Sequence, residues 1–178
     1  MSVDKVKSKQ SRVPITIDSL IIKLGDASSE IQTNAADLLG QLGHKAVSEL
    51  RKAIIDNNAP EKRQYAVIAL KIIGKDAFSA VPELKIALVD SSFTVRWRAA
   101  EALGAIGPKA KEAIPELVTA LDDEQSAVRE YAAQTLGKLG RSAVIALPKL
   151  RQLIDTDQDS DVRNAVLKTF KLLSNDAK

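Results

Sequence analysis

The chain contains no cysteine among its 178 residues, which excludes disulfides, thiolate metal sites and a thiol nucleophile and is compatible with a reducing compartment. It has a single histidine, His44, followed by Lys45 in a turn-like stretch, so a histidine-based triad has no second candidate and a histidine metal pair cannot be built. Aromatic residues make up 3% of the chain, and the abundance of Ala and Leu in their place favours helices packed through small residues over sheets. No glycine-rich run fits a phosphate loop. No apolar stretch reaches the roughly 20 residues that a bilayer demands, and the early lysines have no apolar run behind them, which argues against a secretory signal. The expectation is a soluble, cytoplasmic protein.

Charge is present in quantity but balanced. Of 26 basic and 23 acidic residues, Lys5, Lys7, Lys9 and Arg12 stand against Asp4 alone in residues 1–14, and the remainder holds 22 of each sign. The sequence therefore divides into a basic, flexible tail at 1–16 and a neutral body at 17–175, read as one domain. A nucleic-acid-binding body would concentrate Lys and Arg to displace counterions. That footprint is missing in sum, which argues against nucleic acid as the partner, although a local patch can hide in a neutral total.

The body repeats. IQTNAADLLGQLG from Ile31 returns as KRQYAVIALKIIG from Lys62, VRWRAAEALGAIG from Val95, VREYAAQTLGKLG from Val128 and VRNAVLKTFKLLS from Val162, a tandem period of about 33 residues. Within each copy apolar positions fall at i, i+4, i+8 and i+11, as in Val95, Ala99, Leu103 and Ile106, one face of a helix called A below. Between copies lies a second unit, AVPELKIALVD in one version, whose Leu20/Leu24, Leu50/Ile54, Leu84/Leu88, Leu117/Leu121 and Leu150/Ile154 pairs keep i, i+4 spacing; this is helix B. Proline at 82, 115 and 148 stands near the start of B, where a missing N–H costs nothing. Gly43, Gly74, Gly107 and Gly140 follow A, where a left-handed cap favours glycine; the GxxG that contains three of them reads as a helix ending followed by its cap. Counting gives ten helices, starting on B at Ile17 and ending on A at about Leu173. Such units cannot bury their faces alone and must stack.

These residues resemble the short HEAT-like repeats known as PBS-lyase HEAT-like repeats, whose pattern is close to VRxxAAxALGxIG followed by AVPxLxxALxD. The resemblance covers residues 17–173 and implies an all-α, right-handed solenoid of about ten antiparallel helices. It says less about activity, since the class hosts scaffolds, bilin lyases and lyase-like proteins, hydroxylases and DNA glycosylases. The hydroxylases' His-Glu di-iron set cannot be assembled around one histidine. The resemblance also gives meaning to Asp26/Gln32, Asn57/Arg63, Asp90/Arg96, Asp123/Arg129 and Asp157/Arg163, which lie six apart across the B-to-A turn. The family uses a similar pair as a ladder between turns, where a carboxylate accepts from backbone amides and a guanidinium. The competing reading makes these arginines phosphate ligands.

In the family the B helices line the concave surface and the A helices the convex one. Positions on B that the core does not need vary from copy to copy, and such variation is how repeat proteins encode a partner. The concave candidates are Glu49, Arg51, Lys52, Glu83, Lys85, Ile86, Glu116, Val118, Thr119, Lys149, Arg151 and Gln152. Their mixture of charge and apolar groups suits a protein or peptide better than a phosphate backbone; the competing reading is a merely solvated face. On the convex side Trp97 occupies an offset where other copies are polar, and with Tyr65, Ile68 and Ile72 it forms a candidate apolar patch. Alternatively Trp97 folds over alanines of its own and the adjacent helix. Its convex placement argues against a glycosylase, which needs its aromatic on the concave face. The acidic DTDQDSD, residues 155–161, looks like a calcium loop but lacks the central glycine and terminal glutamate. Ile21 and Ile22 at one end and Leu172 and Leu173 at the other make imperfect caps, so self-association through solenoid ends or the convex patch is a further expectation, as is a tail whose Val13, Pro14 and Ile15 cover the first helix. The reading is a non-enzymatic, cofactor-free scaffold that binds protein or peptide, with a bilin lyase-like or phycobilisome-associated protein as the alternative.

Overall fold

The computed structural model describes residues 15–56 and 59–176. Most of the expected basic tail, with Val13 and Pro14, and Asn57 of the second six-residue pair lie outside the described residues. Among the described residues there is no strand, and ten α-helices alternate: α1 (Ile17–Lys23), α2 (Ser29–Leu42), α3 (Val47–Ile54), α4 (Pro60–Ile73), α5 (Val81–Ala87), α6 (Phe93–Ile106), α7 (Ile114–Ala120), α8 (Ser126–Leu139), α9 (Leu147–Thr156) and α10 (Ser160–Asp176). Six of them run to ten residues or more; α1, α3, α5 and α7 have only seven or eight.

The sequence reading passes over a third element. Gly43–Ala46, Gly74–Ala80, Gly107–Ala113 and Gly140–Ala146 form 3-10 turns between A and B, and the B helices start one residue after the first alanine of the B stretches and are short. Each turn opens on a glycine with φ between 60° and 73°. The expectation of a left-handed cap needs correction here: ψ at these glycines lies between −132° and −147°, a region that a Cβ makes all but inaccessible. The B helices then begin with Pro82, Pro115 and Pro148 in the first turn, as the missing N–H allows.

The A helices α2, α4, α6, α8 and α10 stack in one layer and the B helices in a second, with the A layer in much denser mutual contact. Small residues cause that difference. In α6, Ala99, Ala100, Ala102 and Leu103 are fully buried together with Val95, so the helix is covered on both flanks as well as on its core face, and its outer stripe is narrow. The first glycine of GxxG is part of this packing rather than of the helix ending. A Cβ on Gly40 would stand 2.5 Å from the Ile72 side chain, and one on Gly104 would stand 2.8 Å from the Thr135 hydroxyl. That hydroxyl donates to the carbonyl of Ala100 at 2.7 Å, and Thr169 donates to Ala133 at 2.9 Å. Each bond crosses from one A helix to the one before it, and the glycine four residues beyond each accepting carbonyl allows the approach. The leucine pairs of B complete the core, with Leu20, Leu24, Leu50, Leu84, Leu117, Leu121 and Leu150 all essentially inaccessible; burial of each such side chain contributes about 1.5–3 kcal/mol.

Candidate functional site

The repeat-locked arginines form a ladder, but not with the carboxylates six residues away. Arg63 holds Asp90 through two bonds of 2.7 and 2.9 Å, Arg96 holds Asp123 at 2.7 and 2.9 Å, and Arg129 holds Asp157 at 2.8 Å twice. Each rung thus spans 27 or 28 residues, from one A helix to the turn that follows the next B helix. The six-residue relation survives as a second contact, in which the remaining guanidinium nitrogen donates to the main-chain carbonyl of Asp90, Asp123 or Asp157 from Arg96, Arg129 or Arg163. The carboxylates also cap their own turns, accepting from the amides of Ser92, Gln125 and Asp159. At the first position Asp26 accepts from Ser28 and Gln32 is buried in place of an arginine.

Electrostatics follow this geometry. The hydrogen bond to Asp123 raises the Arg96 pKa above its ordinary value against the opposing cost of burial. Burial pushes the Asp90 carboxyl up, but Arg63 and the Ser92 amide outweigh it and hold the group below its ordinary value. For Asp157 the Arg129 bond is the largest influence, and it too lies low. The guanidinium forks of Arg63, Arg96 and Arg129 are fully engaged, which leaves no ready phosphate ligand among them.

On the B face the structure changes what the candidate residues present. Arg51 donates two bonds to Glu83 on the next B helix, at 2.8 and 2.9 Å, and Lys85 reaches Glu116 on the one after at 3.1 Å. Lys52 pairs with Glu49 within α3, and Lys149 pairs with Asp122. Glu49, Arg51, Glu83, Lys85, Glu116, Val118 and Lys149 are half-buried, whereas Lys52, Ile86, Thr119, Arg151 and Gln152 are exposed. The cross-helix pairs were legible as partners 32 and 31 residues apart, close to one repeat period.

The hollow part of this face lies at the C-terminal ends of the B helices, where the candidates Ile86, Glu116 and Thr119 are joined by residues that sequence reasoning missed, Ile55 and Val89 among them. A depression of about 290 Å³ is lined by Ile55, Arg63, Ile86, Val89 and Asp90 among others. It shares Val89 and Asp90 with a second of about 640 Å³ bounded by Arg96, Glu116, Thr119 and Asp122–124. The second shares its acidic wall with a third of about 360 Å³ that ends at Thr156, Asp157 and Gln158. The three adjoin in a row, here called the channel, apolar at the α3–α5 end, where Ile55, Ile86 and Val89 are 51%, 59% and 72% exposed, and acidic at the α7–α9 end.

On the A side Trp97 is half-buried against the core. Its ring stacks on Tyr131 of α8 at 4.9 Å between centroids, and the Arg98 guanidinium lies 3.8 Å above it. Arg98 in turn bonds Glu101, which also takes Lys71 from α4. Tyr65 and Ile68 are half-buried, and Ile72 is exposed while its inner edge meets Gly40. Tyr131, the ring partner, was not anticipated. Between α8 and α10 lies a groove of about 520 Å³ lined by Glu130, Lys138, Asp161 and Lys168 around Gly137 and Ala165; burial, reinforced by Asp161 and Asp159, holds the Glu130 carboxyl above its ordinary value.

His44 sits exposed on the first 3-10 turn. At the ends, Ile22 and Leu172 are exposed but Leu173 is fully buried, so it is no part of an open cap. Among the described residues no set of three or more His, Asp or Glu side chains is placed to hold a metal ion, and no helix is long and apolar enough to cross a membrane.

Comparison with known proteins fits this geometry. Residues 81–171, just over half of the chain, match the family model for HEAT repeats. A chain from the complex of CpcE and CpcF of phycocyanin lyase from Nostoc sp. PCC7120 superposes with a TM-score of 0.73 at 24% identity, over 86% of this chain and 96% of that one. A computationally designed armadillo repeat protein for modular peptide recognition gives 0.65 at 21% identity, over 88% and 81%. An engineered protein gives 0.65 at 23%, over 90% and 80%. No curated protein matches in sequence.

Proposed function

We propose, from the premise that the chain belongs to the HEAT-repeat family, that it is a non-enzymatic scaffold that binds a protein segment along its B-helix face. The observation that carries this reading is the row of three adjoining depressions, which share wall residues and offer an apolar end and an acidic end to one protein segment. Its two ends specify the occupant: apolar side chains against Ile55, Ile86 and Val89, then basic ones against the exposed carboxylates of Asp122 and Glu124. The charges paired between B helices stiffen the floor of this surface rather than serve as free ligands. The likeness to a peptide-recognising repeat design supports a stacked-helix surface suited to the same task.

The test is selection from a displayed peptide library. Enriched peptides are expected to combine apolar and basic residues, and Ile86→Glu with Val89→Glu is expected to lose them, since both side chains are exposed and the fold does not need them. Equal retention by the variant would sink the reading.

A second reading, a bilin lyase-like subunit, is favoured by one observation, the match over nearly the whole of the phycocyanin lyase chain. Mixing with a free bilin separates the two: a change in bilin fluorescence supports the lyase-like reading, and an unchanged spectrum removes it.

A further inference from the structure

The opposite edge of the solenoid, formed by the four 3-10 turns, carries charge that the fold does not consume. Lys45, Lys75, Lys109, Lys111 and Arg141 all stand exposed on these turns, at least one in each. None of the five has an ion-pair partner among the described residues, a state that Lys23, Lys138, Arg151, Lys168 and Lys171 share elsewhere, and on this edge such cations recur in every turn. Asp76 and Glu112 are the acidic residues on the same turns, so the edge has an excess of positive charge that the neutral body total conceals. Consecutive turns pack against one another, which makes the cations a single row.

The row also holds apolar anchors. Phe78 is 51% and Ile145 76% exposed, and the Lys109 ammonium lies 4.5 Å from the centroid of the Phe78 ring, joining the second and third turns in one basic and aromatic surface.

Packed helices lie about 8–10 Å apart, so the turns that carry these cations recur at roughly that interval. A polyproline-II segment turns once every three residues and rises about 3.1 Å per residue, so every third side chain returns to the same face after roughly that distance. We propose that this edge docks an acidic segment of a partner protein in the polyproline-II conformation, with a carboxylate at about every third residue and apolar side chains between that seat on Phe78 and Ile145. A nucleic-acid strand fits less well, because phosphates recur at every nucleotide and have no use for an exposed isoleucine.

Fluorescence anisotropy with the full chain and synthetic peptides tests this. The probes are a peptide of about ten residues with Glu at every third position and Leu or Phe between, an isomer with the same residues but its Glu clustered at one end, and a single-stranded oligonucleotide of equal charge. The periodic peptide is expected to bind about tenfold or more tightly than the clustered isomer, with an affinity that falls as salt rises. Lys75→Glu with Lys109→Glu and Arg141→Glu is expected to weaken it by a further factor of ten or more while helix content by circular dichroism stays the same. Ile86→Glu with Val89→Glu, on the other face, is expected to leave it unchanged, so a failure here is distinguishable from a failure of the channel. Equal binding of the two isomers, tighter binding of the oligonucleotide, or retention by the triple variant would each overturn the proposal.

Discussion

The two edges of this solenoid come from the same repeat, yet they use charge in opposite ways. At the B-to-A edge every acidic rung from Asp90 to Asp157 is gripped by an arginine from the preceding repeat and caps its own turn. At the A-to-B edge the turns are closed by glycine geometry and buried alanines such as Ala77, Ala110 and Ala143, and the charged side chains are left to solvent. The difference follows from where backbone polar groups need partners. A 3-10 turn bonds its own backbone, whereas the open loop after a B helix exposes carbonyls and amides that only side chains can meet. One edge therefore consumes its rung charges within the stack, and the other leaves its charges to solvent.

The largest effect that would sharpen this contrast is loss of a rung. Arg96→Ala leaves Asp123 mostly buried with only the Gln125 amide, and removal of one partner from such a pair costs about 3–5 kcal/mol; urea denaturation reads this directly, and a loss under 1 kcal/mol would break the distinction. An intermediate effect appears with pH. Because Asp157 has its pKa lowered in the folded chain by Arg129, the rung's stability is fully present above the carboxylate's unfolded value and is lost as pH falls through the folded one. The urea midpoint is therefore expected to decline only below about pH 4, and Arg129→Met should remove this rung's share of that acid dependence. The smallest effect belongs to the other edge, where Lys75→Glu with Arg141→Glu should change stability by no more than about 0.5 kcal/mol per site. A larger loss would mean that those cations are structural after all.

Much of the fold was legible because stacking imposes one solution on every copy. The leucine pairs of B and the Val95, Ala99, Leu103, Ile106 stripe had to be buried, and they are, save that in the last B helix Leu153 is buried and Ile154 only half so. The arginine ladder was legible as a register but not as a pairing, since six residues along the chain and one repeat across space give the same periodicity. Trp97 was ambiguous for a related reason: nothing in its own helix revealed that Tyr131 and Arg98 would cover its ring. The channel escaped notice because Ile55 and Val89 sit just past the ends of B, outside the periodic positions.

The sequence by itself determined the repeat, the order of A and B, the proline starts and the glycine stops, because helical period and backbone permissiveness act over a few residues. Only the tertiary structure decided which arginine holds which carboxylate, that Gly40 and Gly104 serve close helix contact, and which charges are consumed within the stack. These depend on distances between residues about one repeat apart, and such distances exist only once the layers have packed.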